Sequence, residues 1–271
     1  MRLRLDLSYD GGGFAGWARQ PGQRTVQGVL EEVFQRYAPG AAGGLTVAGR
    51  TDAGVHASGQ VAHLDIEGDA DCADLRRRWN GMLPADVRLT GVRVAADGFD
   101  ARFSALSRRY AYRVSDDPAG PAPLRRHDTL GWRRPLEVDA LRAASEHLLG
   151  EHDFAAYCRR REGATTVRAL LRLDWGRGDD GVLTATVEAD AFCHSMVRSL
   201  VGALLAVGDG RRPVEWPAAL LTRTVRADEV AVAPPHGLTL LSVAYPPDHE
   251  LAARAAETRR LRSVPIGKGD I

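Results

Sequence analysis

The chain has 271 residues, of which 44% are hydrophobic and 26% charged, and its formal net charge is +1. These values are typical of a globular protein with a sizeable core and exclude a disordered or fibrous chain. The longest apolar run, residues 199–207, is too short to cross a bilayer, and the first ten residues lack the apolar stretch of a secretion signal. We therefore expect a cytoplasmic protein without membrane contact.

The basic residues are almost all arginine, since Lys268 is the only lysine. A bias toward GC-rich codons accounts for this composition, but local arginine clusters could also bind phosphate groups. The three cysteines form no CxxC motif and predict neither a disulfide framework nor a zinc site, which fits a reducing compartment. The clusters are Arg76–Arg78, Arg108–Arg109, Arg125–Arg126, Arg133–Arg134 and Arg159–Arg161.

The first half of the chain predicts a β-α-β-β-α-β order, which is that of a ferredoxin-like unit. Leucine alternates with polar residues at the start, and an apolar pattern with helical spacing follows Thr25, a suitable N-cap, and stops at Pro39-Gly40. The predicted elements are a strand at 3–8, a helix at 26–37, strands at 45–48 and 59–66, a helix at 73–82 and a strand at 87–94.

The second half repeats this plan after a loop rich in Pro, Gly and Arg at 115–135. We therefore expect an α+β fold of two ferredoxin-like halves. The expected domains are 1–105 and 106–247, followed by a loosely ordered tail at 248–271. The predicted elements are strands at 109–114, 167–175, 182–189 and 238–243, with helices at 138–149 and 192–207.

The glycine-rich stretch at 11–16 satisfies GxGxxG after a strand, so a dinucleotide site needs consideration. Such a site requires a helix that opens within the glycines, whereas Pro21-Gly22 predicts a turn, and we expect a substrate-facing loop instead. The spacing of His56 and His63, and of the consecutive residues 151–153, does not fit a metal site.

Two further segments carry charge where it is unexpected. Arg50 and Asp52 lie two residues apart between glycines, and in an extended segment the guanidinium could keep the carboxylate ionised as a nucleophile or base. An aspartate in a turn that pairs with a neighbour is the plainer interpretation. His194 and Arg198 share one face of the predicted apolar helix, and this arginine requires either a structural acid partner or a catalytic one.

Several blocks in order resemble the TruA family of tRNA pseudouridine synthases over residues 1–247. The block GRTDAGVHASGQVAH from Gly49 is the most specific of them. The family commonly carries a second histidine where this chain has Ser195 and a glutamine where it has Ala18. The other blocks are YDG from Tyr9, FAGW from Phe14, TVQ from Thr25, ARFSA from Ala101, RRYAYRV from Arg108, GEHDF from Gly150, FCHSMVRSLVG from Phe192 and GLTLLSVAYP from Gly237.

The resemblance implies an isomerase that converts uridine to pseudouridine at positions 38, 39 and 40 of the tRNA anticodon stem-loop, without cofactor or metal. It implies that the two halves form one mixed, mostly antiparallel sheet with a central catalytic cleft flanked by helices. It also implies a homodimer in which one tRNA contacts both subunits. Asp52 would be the catalytic carboxylate, acting on C1′, on the base, or through a glycal. Tyr110 would stack on the flipped base, and Arg198 would pair with Asp52. Arg50 would help to extrude the nucleotide. Leu238 would form an apolar wall of the pocket, and His56 would contact the substrate.

Three alternatives stay open from the sequence. The chain could act on another RNA, such as U2 small nuclear RNA or messenger RNA. It could be an RNA-binding or folding module without chemistry, although such a module has no reason to keep Asp52, Tyr110 and Arg198 together. A nucleotide-dependent oxidoreductase built on the glycine-rich stretch is the third.

Overall fold

A computed structural model describes residues 1–37, 44–159 and 165–263, and the side chains of these residues except Tyr37 and residues 261–263. The described residues form an α+β fold in which one ten-stranded sheet carries six α-helices, as expected. Both parallel and antiparallel strand pairs occur, but the parallel ones are confined to two short junctions.

The first half forms four strands and two helices in the predicted order. Its strands lie side by side in the order β4-β1-β3-β2, all antiparallel, which is the arrangement of a ferredoxin-like unit. Leu3, Leu5 and Leu7 are fully buried, so the alternation in the sequence marks the core face of β1. The elements are β1 Arg2–Tyr9, α1 Val26–Tyr37, β2 Thr46–Val47, β3 His56–Asp65, α2 Cys72–Met82 and β4 Val87–Val94.

The second half repeats this topology, with its strands in the order β10-β5-β9-β8-β7. The four principal strands again lie in the order fourth, first, third, second, so the doubled plan is confirmed. Its first elements are β5 Ser107–Ser115, β6 Leu130–Gly131, α3 Val138–Glu146, β7 Gly150–Asp153 and β8 Val167–Arg177. Then follow β9 Leu183–Ala189, α4 Met196–Gly208, the short α5 Trp216–Ala219, β10 Leu238–Ala244 and α6 Leu251–Ser263.

The two halves meet where β3 and β10 run parallel, with Thr239 opposite His56 and Leu240 opposite Ala57. Gly59 has no side chain where the Leu241 carbonyl of β10 comes close, and a Cβ there would overlap that carbonyl. One cluster of buried hydrophobic residues extends through both halves. Because sheet and core are shared, the boundary near residue 105 stays a prediction.

Several predicted boundaries hold and one shifts in an informative way. Thr25 caps α1, since its Oγ1 accepts the Gly28 N–H at 3.2 Å, whereas the predicted stop at Pro39-Gly40 lies outside the described residues. The helix predicted at 192–207 instead begins at Met196, because Ser195 has a left-handed backbone (φ 63°) that helical residues do not adopt. Residues 192–195 are therefore a loop.

The tail was wrongly predicted to be loosely ordered, since Leu251–Ser263 forms α6. Leu251 and Ala255 are 2% exposed, and Leu251 joins a small second cluster with Phe99 and Ala101. The Arg259 guanidinium donates to Asp100 Oδ2 at 2.6 Å and holds the helix to the first half. Residues 264–271 lie outside the described part of the chain.

Cys158 pairs with Cys193, with Cα atoms 5.7 Å apart, and the sequence did not predict this single pair. Their separation of 35 residues gives no local motif, and the fold brings them together. Cys72 is free. None of the helices in the described ranges has the length and apolar character needed to span a bilayer.

Candidate active site

Asp52 lies in the loop between β2 and β3, next to the junction of the two halves, with 27% of its side chain exposed. Three groups, two from the loop before α4 and one from its first turn, contact its carboxylate. Arg198 Nη1 and Ser195 Oγ each donate to Oδ2 at 3.3 Å, and His194 Nε2 lies 3.4 Å from Oδ1. A carboxylate from one half thus faces a cation and two further polar groups from the other.

The backbone of the Asp52 loop is supported by the glycine-rich stretch. Trp17 N–H donates to the Thr51 carbonyl at 3.0 Å, and Gly54 N–H donates to the Phe14 carbonyl at 3.2 Å. Gly16 has φ 98°, and a Cβ on it would lie 3.0 Å from the Thr51 carbonyl. Only glycine combines this backbone conformation with so close an approach.

A buried network holds the same loop from the sheet side. Tyr9 Oη and Thr51 Oγ1 lie 2.8 Å apart, while the Gln60 amide donates to Tyr9 Oη at 3.2 Å and to the Gly49 carbonyl at 2.9 Å. Burial raises the pKa of Tyr9 to about 12, so the phenol stays neutral and can act as donor and acceptor. The network restrains the residues on both sides of Arg50.

Arg198 is oriented by a second contact. Its Nε donates to the Ala233 carbonyl at 2.7 Å, which leaves Nη1 directed at Asp52. Arg50 is exposed, and the described residues contain no ion pair between it and Asp52, so the local pairing that the sequence suggested is absent. The cation beside Asp52 comes from α4 instead.

Arg108 belongs to one of the arginine clusters but is 6% exposed. Its guanidinium donates to the carbonyls of Ala48, Arg102 and Asp190 at 2.9, 2.9 and 2.7 Å. Burial lowers the pKa of Arg108, and no carboxylate pairs with it among the described residues. Because Ala48 leads into the Asp52 loop and Asp190 into the His194 loop, one side chain fixes the approach of both.

Tyr110 and Leu238 lie on the neighbouring strands β5 and β10, 7% and 4% exposed. The Tyr110 ring meets Phe192 edge to face, with centroids 5.3 Å apart. Burial, and after it the nearby Tyr9, raises the pKa of Tyr110, and the Asp52 charge acts in the same direction. No described residue forms a hydrogen bond with its hydroxyl. The buried Tyr110 ring is therefore close enough to interact with the Asp52 charge, and Leu238 is a buried apolar residue on the neighbouring strand.

His56 is 7% exposed and does not present a free nitrogen to a ligand. Its Nδ1 accepts the Gly11 N–H at 3.0 Å, and its Nε2 lies 2.9 Å from the His127 carbonyl and 3.1 Å from that of His236. The ring joins three loops to the start of β3. This geometry fits a role in shaping the site more closely than the direct substrate contact predicted from the sequence.

The glycine-rich stretch opens no α-helix, since Gly11–Gly13 forms a single 3₁₀ turn capped by Asp10. A Cβ on Gly11 would overlap the Val55 carbonyl, so this glycine serves close packing against the Asp52 loop. In the described ranges no three His, Cys, Asp or Glu side chains group as metal ligands.

The remaining arginine clusters differ in their availability. Arg77 and Arg78 pair with Asp74, and Arg125 pairs with Asp128. Arg133 and Arg134 are exposed, and the described part of the chain offers them no ion pair. Arg160 and Arg161 lie outside the described residues.

Known proteins resemble this chain over nearly its whole length. A family model described as tRNA pseudouridine synthase matches residues 144–246. A tRNA pseudouridine synthase A of Frankia casuarinae is 65% identical over 269 residues, covering 99% of this chain and 98% of the relative. The chain belongs to the tRNA pseudouridine synthase A family. Relatives of that name from Streptomyces griseus and Mycobacterium leprae are 57% and 52% identical, covering 98% and 97% of this chain and 95% and 96% of their own lengths.

The tRNA pseudouridine synthase A family is a family of isomerases, which agrees with the resemblance of the sequence motifs. Sequence reasoning singled out Asp52, Tyr110 and Arg198, and the fold brings them together. It missed the contacts of Ser195 and His194 with Asp52, and the three carbonyls that Arg108 binds. A histidine four residues before a helical arginine was a signal for His194, but no pattern in the sequence indicated where Ser195 or Arg108 points.

Proposed function

We propose that this chain converts uridine to pseudouridine at positions 38, 39 and 40 of the tRNA anticodon stem-loop, with the Asp52 carboxylate as the reacting group. The observation that carries the proposal is the contact between Asp52 of one half and Arg198 of the other, with the buried Tyr110 ring close enough to interact with the Asp52 charge. A cytoplasmic location and tRNA as the macromolecular partner belong to the same proposal.

The reaction breaks the bond from N1 to C1′ and forms one from C5 to C1′, while the proton on C5 is lost and N1 gains one. Nothing is oxidised, and the protein is unchanged at the end. Asp52 acts as a nucleophile toward C1′ or the base, or removes a ribose proton to give a glycal. In each route the reacting group is the ionised carboxylate, and Arg198 Nη1 donates a hydrogen bond to it.

The target base must leave the stem to reach Asp52, and unstacking it costs a few kcal/mol. We propose that Tyr110 recovers part of this cost by stacking on the flipped base, with Leu238 as the apolar wall beneath it. Arg50 is exposed and close to Asp52 in sequence. We propose that it binds the nucleotide phosphate or fills the gap that the flipped base leaves. His56 supports these groups through the three loops that it joins.

We further propose that two copies of the chain bind one tRNA and that exposed arginines, Arg133 and Arg134 among them, contact phosphates. If so, the logarithm of the binding constant falls linearly with the logarithm of the salt concentration, by roughly one counterion per phosphate contact. A tRNA affinity that does not change with salt concentration would exclude the proposed phosphate contacts. Size-exclusion chromatography with light scattering tests the dimer.

The decisive experiment uses an unmodified tRNA transcript with tritium on C5 of uridine, so that turnover releases tritium. Wild type is compared with Asp52→Ala and Asp52→Asn, without added metal or cofactor, and pseudouridine is mapped by chemical labelling. We expect release at positions 38–40 with wild type, none with either variant, and nearly unchanged tRNA binding. Turnover of Asp52→Asn within tenfold of wild type would refute the assignment, and binding without turnover by wild type would favour an RNA-binding module or another RNA.

A further inference from the structure

Ser195 is the only non-glycine residue with a left-handed backbone among those described, at φ 63° and ψ 7°. Side chains with a Cβ rarely adopt this conformation, because the Cβ crowds the following carbonyl. Such strain persists only where the surroundings enforce it, and it concentrates at functional sites. The conformation of Ser195 therefore requires a reason.

The hydroxyl of Ser195 is also used unusually. Ser195 is the N-cap of α4, where a serine oxygen normally accepts a backbone N–H from the first turn. Here it makes no such bond, and Oγ donates to Asp52 Oδ2 at 3.3 Å instead. The left-handed backbone thus directs the hydroxyl away from its own helix and toward the carboxylate.

The loop that carries Ser195 is held on both sides. Cys193 is joined to Cys158, and the Arg159 N–H donates to the His194 carbonyl at 3.1 Å. On the helix side, the Ser199 N–H donates to the Ser195 carbonyl at 2.9 Å. These contacts enforce the strained conformation without help from the hydroxyl, so the hydroxyl can be removed while the loop stays in place.

The two oxygens of Asp52 consequently differ in their surroundings. Oδ2 accepts hydrogen bonds from both Ser195 Oγ and Arg198 Nη1, whereas among the described residues the one polar contact of Oδ1 is with His194, 3.4 Å from Nε2. Two donors on one oxygen restrict rotation of the carboxylate about its last bond. An ordered reactive group loses less entropy on the way to the transition state.

We propose that Ser195 is a positioning residue, which together with Arg198 anchors Oδ2 of Asp52 so that Oδ1 is the oxygen that reacts. The inference rests on the proposed function, in which Asp52 performs the chemistry. It assigns separate roles to the two carboxylate oxygens and a role to a serine that stands where the family commonly has histidine.

Three substitutions separate the hydroxyl from the backbone strain. Ser195→Gly removes both, since glycine adopts the left-handed conformation freely, and Ser195→Ala removes the hydroxyl alone. Ser195→Asn accepts the conformation more readily than serine and carries an amide donor. Ser199→Ala is the matched control, because Ser199 lies one turn later in α4, is 1% exposed, and its hydroxyl lacks a hydrogen-bond partner in the described structure.

We expect Ser195→Gly and Ser195→Ala to lower kcat about tenfold with KM and tRNA affinity unchanged, as loss of one bond to a charged group implies. Ser195→Gly should raise Tm, because glycine relieves the backbone strain, and should at the same time lower kcat. If the serine had a purely structural role, a more stable variant would not lose turnover. The kcat of Ser195→Asn should stay within about threefold of that of wild type, and the kcat of Ser199→Ala should equal that of wild type. A kcat of Ser195→Gly within twofold of wild type overturns the proposal.

A second measurement reads the contact without turnover. At constant pH, the ¹³C signal of the Asp52 carboxyl, assigned by its disappearance in Asp52→Asn, is recorded in wild type and in each variant. Loss of the hydrogen bond from Ser195 Oγ should shift this signal in Ser195→Gly and Ser195→Ala and not in Ser199→Ala. The residues that make the other two contacts with the carboxylate, Arg198 and His194, are unchanged in every variant.

The two measurements distinguish the failures. Wild type that turns over no RNA refutes the proposed function, and the ¹³C signal still tests whether Ser195 contacts Asp52. Active wild type with unaffected Ser195 variants refutes the positioning role alone. An unchanged ¹³C signal of Asp52 in Ser195→Gly overturns the inference in either case.

Discussion

Arg198 Nη1 and Asp52 Oδ2 lie 3.3 Å apart although 146 residues separate them in the chain. Each belongs to a different half, so their meeting requires the parallel pairing of β3 with β10 that joins the halves. The second donor of Arg198, Nε, is fixed on the Ala233 carbonyl. The guanidinium that contacts the proposed catalytic carboxylate is therefore fixed in orientation as well as in position.

Replacing Arg198 tests that orientation. We expect Arg198→Met to lower kcat by about 10- to 100-fold, as loss of a charge-assisted hydrogen bond implies. Arg198→Lys keeps the charge but cannot reach both Asp52 and the Ala233 carbonyl as a guanidinium does, so its kcat should be intermediate. Tritium release under single-turnover conditions is the measurement. Equal kcat for Arg198→Lys and wild type would show that charge alone suffices.

The neighbours Arg108 and Arg109 form a matched pair for stability. Arg108→Met leaves three buried carbonyls without a donor and should lower the free energy of unfolding by about 2–4 kcal/mol. Arg109 lies on the exposed face and pairs with Glu188 at 2.8 Å, so Arg109→Met should cost less than about 1 kcal/mol. Urea unfolding measures both. Similar values for the two variants would contradict the role of Arg108 as the link between loops.

Tyr110 is tested by separating its ring from its hydroxyl. Tyr110→Phe retains the aromatic face and should keep tRNA affinity, whereas Tyr110→Ala should weaken binding by about 1–3 kcal/mol, the usual value of stacking one base. Since burial raises the pKa of Tyr110, we expect no loss of activity through its ionisation below about pH 10. Filter binding at constant salt and a pH profile of kcat are the measurements. Equal affinity of Tyr110→Ala and wild type would exclude stacking.

We expect Asp100 to contribute to the free energy of unfolding in a way that depends on pH. Burial acts to raise the pKa of Asp100, but the backbone N–H groups of Phe103 and Arg102 and the Arg259 guanidinium outweigh it, and the pKa is lowered. A carboxyl whose pKa is lowered in the folded protein stabilises the fold at pH values above its unfolded pKa, which is about 4. This contribution is lost as the pH falls through the lowered pKa.

We therefore expect Asp100→Asn to lower the free energy of unfolding by about 1–3 kcal/mol at pH 7, and the difference from wild type to shrink below about pH 4. Asp97→Asn, an exposed change in the same loop, should stay within about 0.5 kcal/mol of wild type at both pH values. Chemical denaturation at several pH values measures this. A difference that stays constant down to pH 3 would mean that the charge of Asp100 contributes nothing.

The elements that the sequence predicted well are those whose pattern is local. The leucines of β1, the Thr25 cap of α1 and the strand Val87–Val94 follow from alternation, helical spacing and capping, which involve residues within a few positions of one another. The β-α-β-β-α-β order then restricts each half to a ferredoxin-like topology. The family motifs add the candidates Asp52, Tyr110 and Arg198.

What only the tertiary structure decided depends on contacts between distant residues. Helix α4 begins at Met196 because the preceding loop holds Ser195 in a left-handed conformation, and α6 is ordered by packing of Leu251 and by the contact of Arg259 with Asp100. The partner of Asp52 is Arg198 and not the neighbouring Arg50. Local propensity determines which segments become helices and strands, but burial and pairing across the sheet determine where a strained residue is tolerated and which charge meets the carboxylate.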